Sequence, residues 1–226
     1  MLVRGTGHAD QLGLWGDSND IYRASGGDDS VSGGLGDDQL FGDRGNDAMN
    51  GDEGSDQLFG GRGNDLLYDV DGSNKLAGGW GDDAIYGAGA LLGASGHDYL
   101  SVFAGYGNGG SGNDSMVAGE PVLSGTAQAG QVTLIGGTGD DAFTVYAAAD
   151  GVSTRTDILD FGNGADSLGV CFMDPIAGAQ DGRVLLDVNF DHHLNAADGL
   201  LVDAEGLHIT IGDDQIVLHG QSDFVF

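Results

Sequence analysis

An aspartate, once an asparagine, recurs every nine residues for seven consecutive steps: Asp20, Asp29, Asp38, Asp47, Asp56, Asp65, Asn74 and Asp83. Two residues after each lies a bulky apolar side chain, in order Tyr22, Val31, Leu40, Met49, Leu58, Leu67, Leu76 and Ile85. Two residues before it stands glycine (Gly27, Gly36, Gly45, Gly54, Gly63, Gly72, Gly81), with Ser18 the one departure. The unit reads G-G-x-G-x-D-x-U-x, where U is large and apolar. Each unit therefore holds a glycine-rich turn and a very short strand. Glycine suits a backbone with φ > 0, or carbonyls that crowd around an ion. In x-U-x, alternation sends U to one face and its neighbours to the other. A glycine- and aspartate-rich chain can also be disordered, but the constant phase of U argues for a folded repeat.

Eight units in one phase resemble the RTX, or hemolysin-type calcium-binding, repeat family. The resemblance implies an all-β fold, a right-handed parallel β-roll in which two nonapeptides make one coil. The U residues of two sheets then meet in a thin apolar core, and residues eighteen apart stack one rung, roughly 4.8 Å, above each other. It implies calcium between stacked turns, each ion taking carboxylates from two aspartates eighteen apart together with turn carbonyls. That pairs Asp20 with Asp38, Asp29 with Asp47, Asp38 with Asp56, Asp47 with Asp65, and Asp65 with Asp83. Gly27, Gly36, Gly45, Gly54, Gly63 and Gly81 belong to the expected ligand turns. Asn74 is expected to keep an oxygen ligand while giving up a charge. Such an oxygen-only set suits a hard cation with six to eight ligands.

Charge points the same way. The formal net charge is −29, almost all of the acid is aspartate, and Lys75 is the sole lysine. Such a chain is repelled by nucleic acid and by anionic membranes, so neither is expected as a direct partner. The charge also opposes compaction unless cations neutralise it, which makes folding and ion binding one expected event. Forty-five glycines with only two prolines fit a solenoid of tight turns and not a collagen. Cys171 stands alone, so no intrachain disulfide is expected. No run of eighteen apolar residues suggests a membrane-spanning helix.

The expected domains are the roll over 1–145 and a C-terminal cap over 146–226. Asp10, ten residues before Asp20, marks a distorted first unit that reads as an N-terminal cap. After Ile85 the phase breaks and resumes at Asp98 and Asp114, with steps of fifteen and sixteen residues. Those steps exceed the nonapeptide by six and seven, and read as loops inserted on one side of the roll. From Val117 to Thr133 aspartates vanish, as in metal-free coils held by apolar packing. The last complete repeat is Gly136–Phe143, with Asp141 as its carboxylate. The segment Asp157-Ile158-Leu159-Asp160-Phe161 and Gly164-Ala165-Asp166-Ser167-Leu168 is similar to the stretch C-terminal to the roll in serralysin-type proteins. Leu207–Ile211 and Gln215–Leu218 alternate as antiparallel strands around Gly212-Asp213-Asp214.

A second calcium signal spans residues 187–198. Asp187, Asn189, Asp191, His193, Asn195 and Asp198 fall at positions 1, 3, 5, 7, 9 and 12 of an EF-hand-like loop, and the sequence resembles a dockerin loop. His193 would contribute its backbone carbonyl, and His192 stands where the EF-hand pattern has glycine. The terminal Asp223-Phe224-Val225-Phe226 resembles the C-terminal signal of serralysin-like substrates of type I ABC exporters. The N-terminus has no charged-then-apolar leader, as expected for a chain secreted by that route.

Catalytic signals are weak. There is no H-E-x-x-H or G-x-S-x-G, and Gly105–Gly110 matches G-x-G-x-x-G only inside a glycine repeat. The expectation is a secreted, non-enzymatic calcium-binding protein with a structural, self-associating role in a matrix, surface layer or adhesion. The alternatives are the folding and secretion module of a larger RTX enzyme or toxin, or a module for extracellular polysaccharide. The last would use loops at 86–97 and 101–113, where Tyr99, Phe103 and Tyr106 cluster.

Overall fold

A computed structural model describes residues 2–13, 18–118, 131–148, 155–161, 164–174, 178–180, 193–194, 201–202, 206–211, 214–219 and 224–225. Every regular element among them is a strand. From Leu2 to Arg62 successive strands do not pair with each other but with the next but one. Thus β1 (Leu2–Arg4) pairs with β3 (Ile21–Arg23), which pairs with β5 (Gln39–Arg44) and then β7 (Gln57–Arg62). In the second sheet β2 (Gln11–Gly13) pairs with β4 (Ser30–Leu35), and β4 with β6 (Ala48–Glu53). All of these pairings are parallel, and Leu40 faces Leu58 in register. The skip comes from the nine-residue unit: each turn swings the chain to the other sheet, so a neighbour in register lies one whole coil away.

Three long strands, β8 (Leu66–Trp80), β9 (Ala84–Ser95) and β10 (Tyr99–Ser111), run through both sheets. β8 pairs with β6 in one sheet through Leu66–Tyr68 and with β7 in the other through Lys75–Trp80. The core is the seam of U positions. Tyr22, Leu40, Leu58, Leu67, Leu76 and Ile85 have no exposed surface, and Val31 and Met49 almost none. Burial on that scale, at about 25 cal/mol per Å² of apolar surface, is the main cohesive term of so thin a body.

The fifteen- and sixteen-residue steps are not a repeat plus an insertion, as the sequence suggested. They are whole coils made shorter. Where β8 pairs with β9, Asp69 faces Gly87 and Asn74 faces Gly89, so three residues have been removed from one turn. Between β9 and β10 one residue returns as a bulge between Val102 and Ala104. The segments expected as loops at 86–97 and 101–113 are therefore largely strand. Gly107 takes a core position opposite Leu91 and Leu134. A Cβ there would lie 2.7 Å from Val102 and 3.0 Å from Met116, so these two side chains fill the missing U volume.

Parallel stacking does not stop at Val145. β11 (Ser115–Ala118) pairs with β13 (Ala142–Ala148), and β13 with β15 (Ser167–Asp174). In the other sheet β12 (Gln131–Thr138) stacks on β10, β14 (Arg155–Ile158) on β12, and the Asp214–His219 strand on β14. That last strand also pairs antiparallel with Gly206–Ile211, giving the hairpin read from the alternation. The sheet thus ends on an antiparallel strand instead of another rung.

Candidate metal sites along two edges

The glycine turns line up on two opposite edges. Edge A carries turns ending at Asp29, Asp47, Asp65, Asp83, Asp98, Asp114 and Asp141; edge B carries those ending at Asp20, Asp38, Asp56 and Asn74. On each edge the backbone N–H of one aspartate donates to Oδ1 of the aspartate one coil on. Edge A runs Asp29 to Asp47 (2.8 Å), Asp47 to Asp65 (2.8 Å), Asp65 to Asp83 (2.8 Å), Asp83 to Asp98 (2.8 Å), Asp98 to Asp114 (2.8 Å) and Asp114 to Asp141 (2.9 Å). Edge B runs Asp20 to Asp38 (2.7 Å) and Asp38 to Asp56 (2.6 Å). The stacking partners paired from the sequence are thus brought together, and Asp98, Asp114 and Asp141 join the same column.

Two further members of edge A are not among the expected metal ligands. Asp10 begins it, its N–H donating to Asp29 Oδ1 at 2.6 Å, and Asp166 ends it by accepting from Asp141 N–H at 2.9 Å. Asp166 carries a readable signal, since Gly164-Ala165-Asp166-Ser167-Leu168 keeps the G-x-D-x-U core. A second, outer ladder runs one residue earlier and points the other way. Asn46 N–H donates to Asp28 Oδ1, Asn64 to Asn46, Asp82 to Asn64, and His97 to Asp82. Asn113 N–H then lies 2.9 Å from His97 Nδ1 and continues the column.

The second carboxylate oxygens are the chemistry. Oδ2 of Asp29, Asp38, Asp47, Asp56, Asp65, Asp69, Asp83, Asp98, Asp114 and Asp141 is buried and accepts no hydrogen bond. A buried anionic oxygen without a partner is strongly unfavourable unless a cation or proton meets it. The glycines keep open the space beside these atoms. A Cβ on Gly33 would lie 2.6 Å from both Asp38 Oδ2 and Gly51 O. Carboxylate and carbonyl oxygens thus converge on a cradle that a side chain would fill. Among the described residues no three His, Cys, Asp or Glu side chains converge; the cradles at Gly33, Gly42 and Gly60 combine carboxylate with backbone oxygen. That donor set fits calcium and offers nothing to a softer metal.

Burial pushes the carboxyls of Asp38, Asp47, Asp65, Asp98 and Asp114 up to about 6 and that of Asp83 to about 7. The backbone N–H that each accepts works against that rise. Neighbouring carboxylates add to it at Asp38, Asp47, Asp83 and Asp114.

Asn74 behaves differently from the expectation for it. Its Oδ1 accepts from Asp56 N–H at 2.9 Å, which assigns the amide's orientation. Its Nδ2 donates to the carbonyls of Asp71 (2.9 Å) and Asp69 (3.4 Å). It therefore presents hydrogens where the aspartates present Oδ2.

Of the EF-hand-like loop, only His193 and Leu194 are described. Their backbone pairs antiparallel with Val225 and Phe224; Asp187, Asn189, Asp191, Asn195 and Asp198 lie outside the described residues. In the segment after the roll, Asp160 accepts from the N–H groups of Gly136 (2.9 Å) and Gly137 (2.7 Å). Burial pushes the Asp157 carboxyl up, but hydrogen bonds from Arg155, His219 and Gln131 outweigh it and hold it below its usual value.

A parallel solenoid with oxygen-lined edges defines a class of ion-stapled rolls. The family model of the RTX calcium-binding nonapeptide repeat, in four copies, matches residues 16–49, 38–67 and 59–89. Residues 16–89 are accordingly RTX repeats, which bind calcium ions and are characteristic of secreted proteins. No curated protein is a significant match to the chain.

Proposed function

We propose that this chain is an extracellular calcium-assembled structural protein, held unfolded by its own charge in low calcium and folded by calcium outside the cell. The observation that carries the reading is the set of ten buried, unpartnered Oδ2 atoms along the two edges. Folding brings them within a coil's rise of one another, and calcium turns that repulsion into bridging. Binding to the folded state alone then stabilises it by mass action. Among the described residues β1 and β2 each pair on one side only, and such a parallel edge makes association through that end the natural form of assembly. No catalytic role is part of this reading. Far-UV circular dichroism during a calcium titration tests it, with a midpoint near 10⁻⁴–10⁻³ M expected for an extracellular module. Equal β-content in chelator and in saturating calcium would remove the basis for it.

A second reading, recognition of an acidic polysaccharide, is favoured by one outer face. Arg23 lies over the Phe41 ring at 4.1 Å, Phe41 stacks on Phe59 at 5.0 Å, and Lys75 approaches Phe59 at 5.5 Å. Beside them Arg62 lies 4.9 Å over Trp80, which is 62% exposed. A flat aromatic strip with cations along it, in a chain of net charge −29, can stack sugar rings and pair with their carboxylates. Affinity electrophoresis in gels cast with a polyuronate checks it: Phe59→Ala should lose any retardation the parent chain shows. Free migration of the parent chain would leave the structural reading alone.

A further inference from the structure

The turn above Asp56 on edge B breaks the repeat twice. Its sixth position is Asn74 in place of aspartate, and its first position is Asp69, where the turns below it have Gly33, Gly42, Gly51 and Gly60. The two departures meet in space. At the regular rungs, a Cβ built on the first glycine meets the carbonyl oxygen of the first glycine one coil on. Gly33 meets Gly51 O at 2.6 Å, Gly42 meets Gly60 O at 2.5 Å, and Gly60 meets Gly78 O at 2.7 Å. On Gly51 the atoms met are Asp69 Oδ2 and, at 2.5 Å, Asp56 Oδ2. A side-chain carboxylate oxygen thus stands where a backbone carbonyl stands elsewhere.

Asp69 has no exposed surface, and neither its Oδ2 nor that of Asp56 has a hydrogen-bond partner. Its Oδ1 accepts a long contact from Asp71 N–H, 3.3 Å. Asn74 cannot supply the missing carboxylate: its amide is neutral, its Oδ1 accepts from Asp56 N–H, and where an aspartate has Oδ2 it has an Nδ2 that donates to the Asp69 and Asp71 carbonyls. We propose that Asp56 and Asp69 form a divalent-cation site of their own on edge B, in which a first-position side chain replaces the sixth-position carboxylate that Asn74 has lost. Two carboxylates and one calcium ion balance in charge, and all the facing atoms are hard oxygens, which is the preference of that ion. The arrangement also ends the edge-B series: a Cβ on Gly87, in the shortened turn above, would strike the Asp69 carbonyl.

The inference rests on the calcium-folded reading, and bound-ion counting separates the two. The count is made on the full chain at saturating calcium, by equilibrium dialysis and elemental analysis, with circular dichroism to confirm folding. Asp69→Asn keeps the shape of the side chain and should bind one ion fewer per chain than the parent while still folding. An unchanged count would overturn the site. The double variant Asp69→Gly with Asn74→Asp rebuilds a regular rung and does not depend on the single variant folding. It should bind as many ions as the parent. One ion more than the parent would mean that the parent rung holds none, with Asp56 and Asp69 merely sharing a proton, and would overturn the proposal. A parent chain that binds no calcium at all would instead defeat the calcium-folded reading itself.

Discussion

Edge A and edge B are built from the same nonapeptide, yet they tolerate different things. Edge A keeps its aspartate ladder unbroken from Asp10 to Asp166, and its turns 78–83, 93–98, 109–114 and 136–141 all hold six residues in the pattern G-x-x-G-x-D. Edge B keeps the ladder only as far as Asn74. Beyond that its turn shrinks by three residues at Gly87–Gly89 and bulges before Ala104. Among the described residues the larger changes in coil length lie on edge B beyond Asn74, where no further aspartate joins the ladder, while edge A lengthens by a single residue between Ile158 and Ser167. A turn that must aim several oxygens at one point has a fixed length, whereas a turn that need only satisfy its own backbone does not.

Insertions should separate the two edges most strongly. Three residues (Gly-Ser-Gly) placed after Ala88, on edge B, should leave calcium-induced folding cooperative with a nearly unchanged midpoint. The same insertion after Ser95, inside an edge-A turn, should abolish cooperative folding of everything beyond it, as read by circular dichroism and limited proteolysis. Similar outcomes for the two would show that the edges do not differ in this way.

Single ligands come next. Asp65→Ala removes an unpartnered Oδ2 from the middle of edge A, together with the Oδ1 that caps Asp47 N–H. Its calcium midpoint should rise by roughly tenfold or more, the scale on which altered metal shells act. Asp38→Ala, on the short edge B, should shift it less. Asp10→Ala should shift it least, since the Asp10 carboxylate is held by Thr6 N–H at 2.6 Å and lies at the end of the column.

Proton competition gives a smaller, graded effect whose sign is unusual for aspartate. Burial raises these carboxyls to about 6 or 7 in the fold, above their ordinary 3.8, so the calcium-free roll binds more protons than the unfolded chain. Its acid-dependent stability is fully present below the ordinary value and lost as pH rises through 6 to 7. In chelator, β-content should therefore be higher at pH 5 than at pH 7.5. With calcium the trend reverses, the midpoint rising as pH falls from 7.5 to 5.5. A midpoint independent of pH would mean that the ladder carboxyls titrate normally.

The apolar seam and the aspartate columns were legible in the sequence because both are local. U lies two residues beyond each aspartate, and the coil spacing is twice the unit. What was not legible depends on knowing which edge a residue occupies. Once a coil runs fifteen or sixteen residues, nothing local says whether a turn grew or shrank, and the shortened coils at Asp98 and Asp114 read as insertions. Asp69 is silent in the sequence because it occupies a position where the repeat prescribes glycine, and only the stacking shows its carboxylate facing Asp56. Asn74 read as an oxygen donor because an amide has one; that the oxygen is already committed to Asp56 N–H is a fact about the coil below.

The inner and outer ladders run in opposite directions, and this gives the molecule a sense of time. Each inner aspartate reaches back to close the corner of the coil made before it, while each outer Asn, Asp or His waits for an N–H not yet in place. No corner is finished when its own residues are laid down. It is finished by residues that arrive 15 to 27 positions later. A chain entering a calcium-rich space from its first residue would therefore set like a seam being sewn, each stitch left loose until the next one pulls it tight.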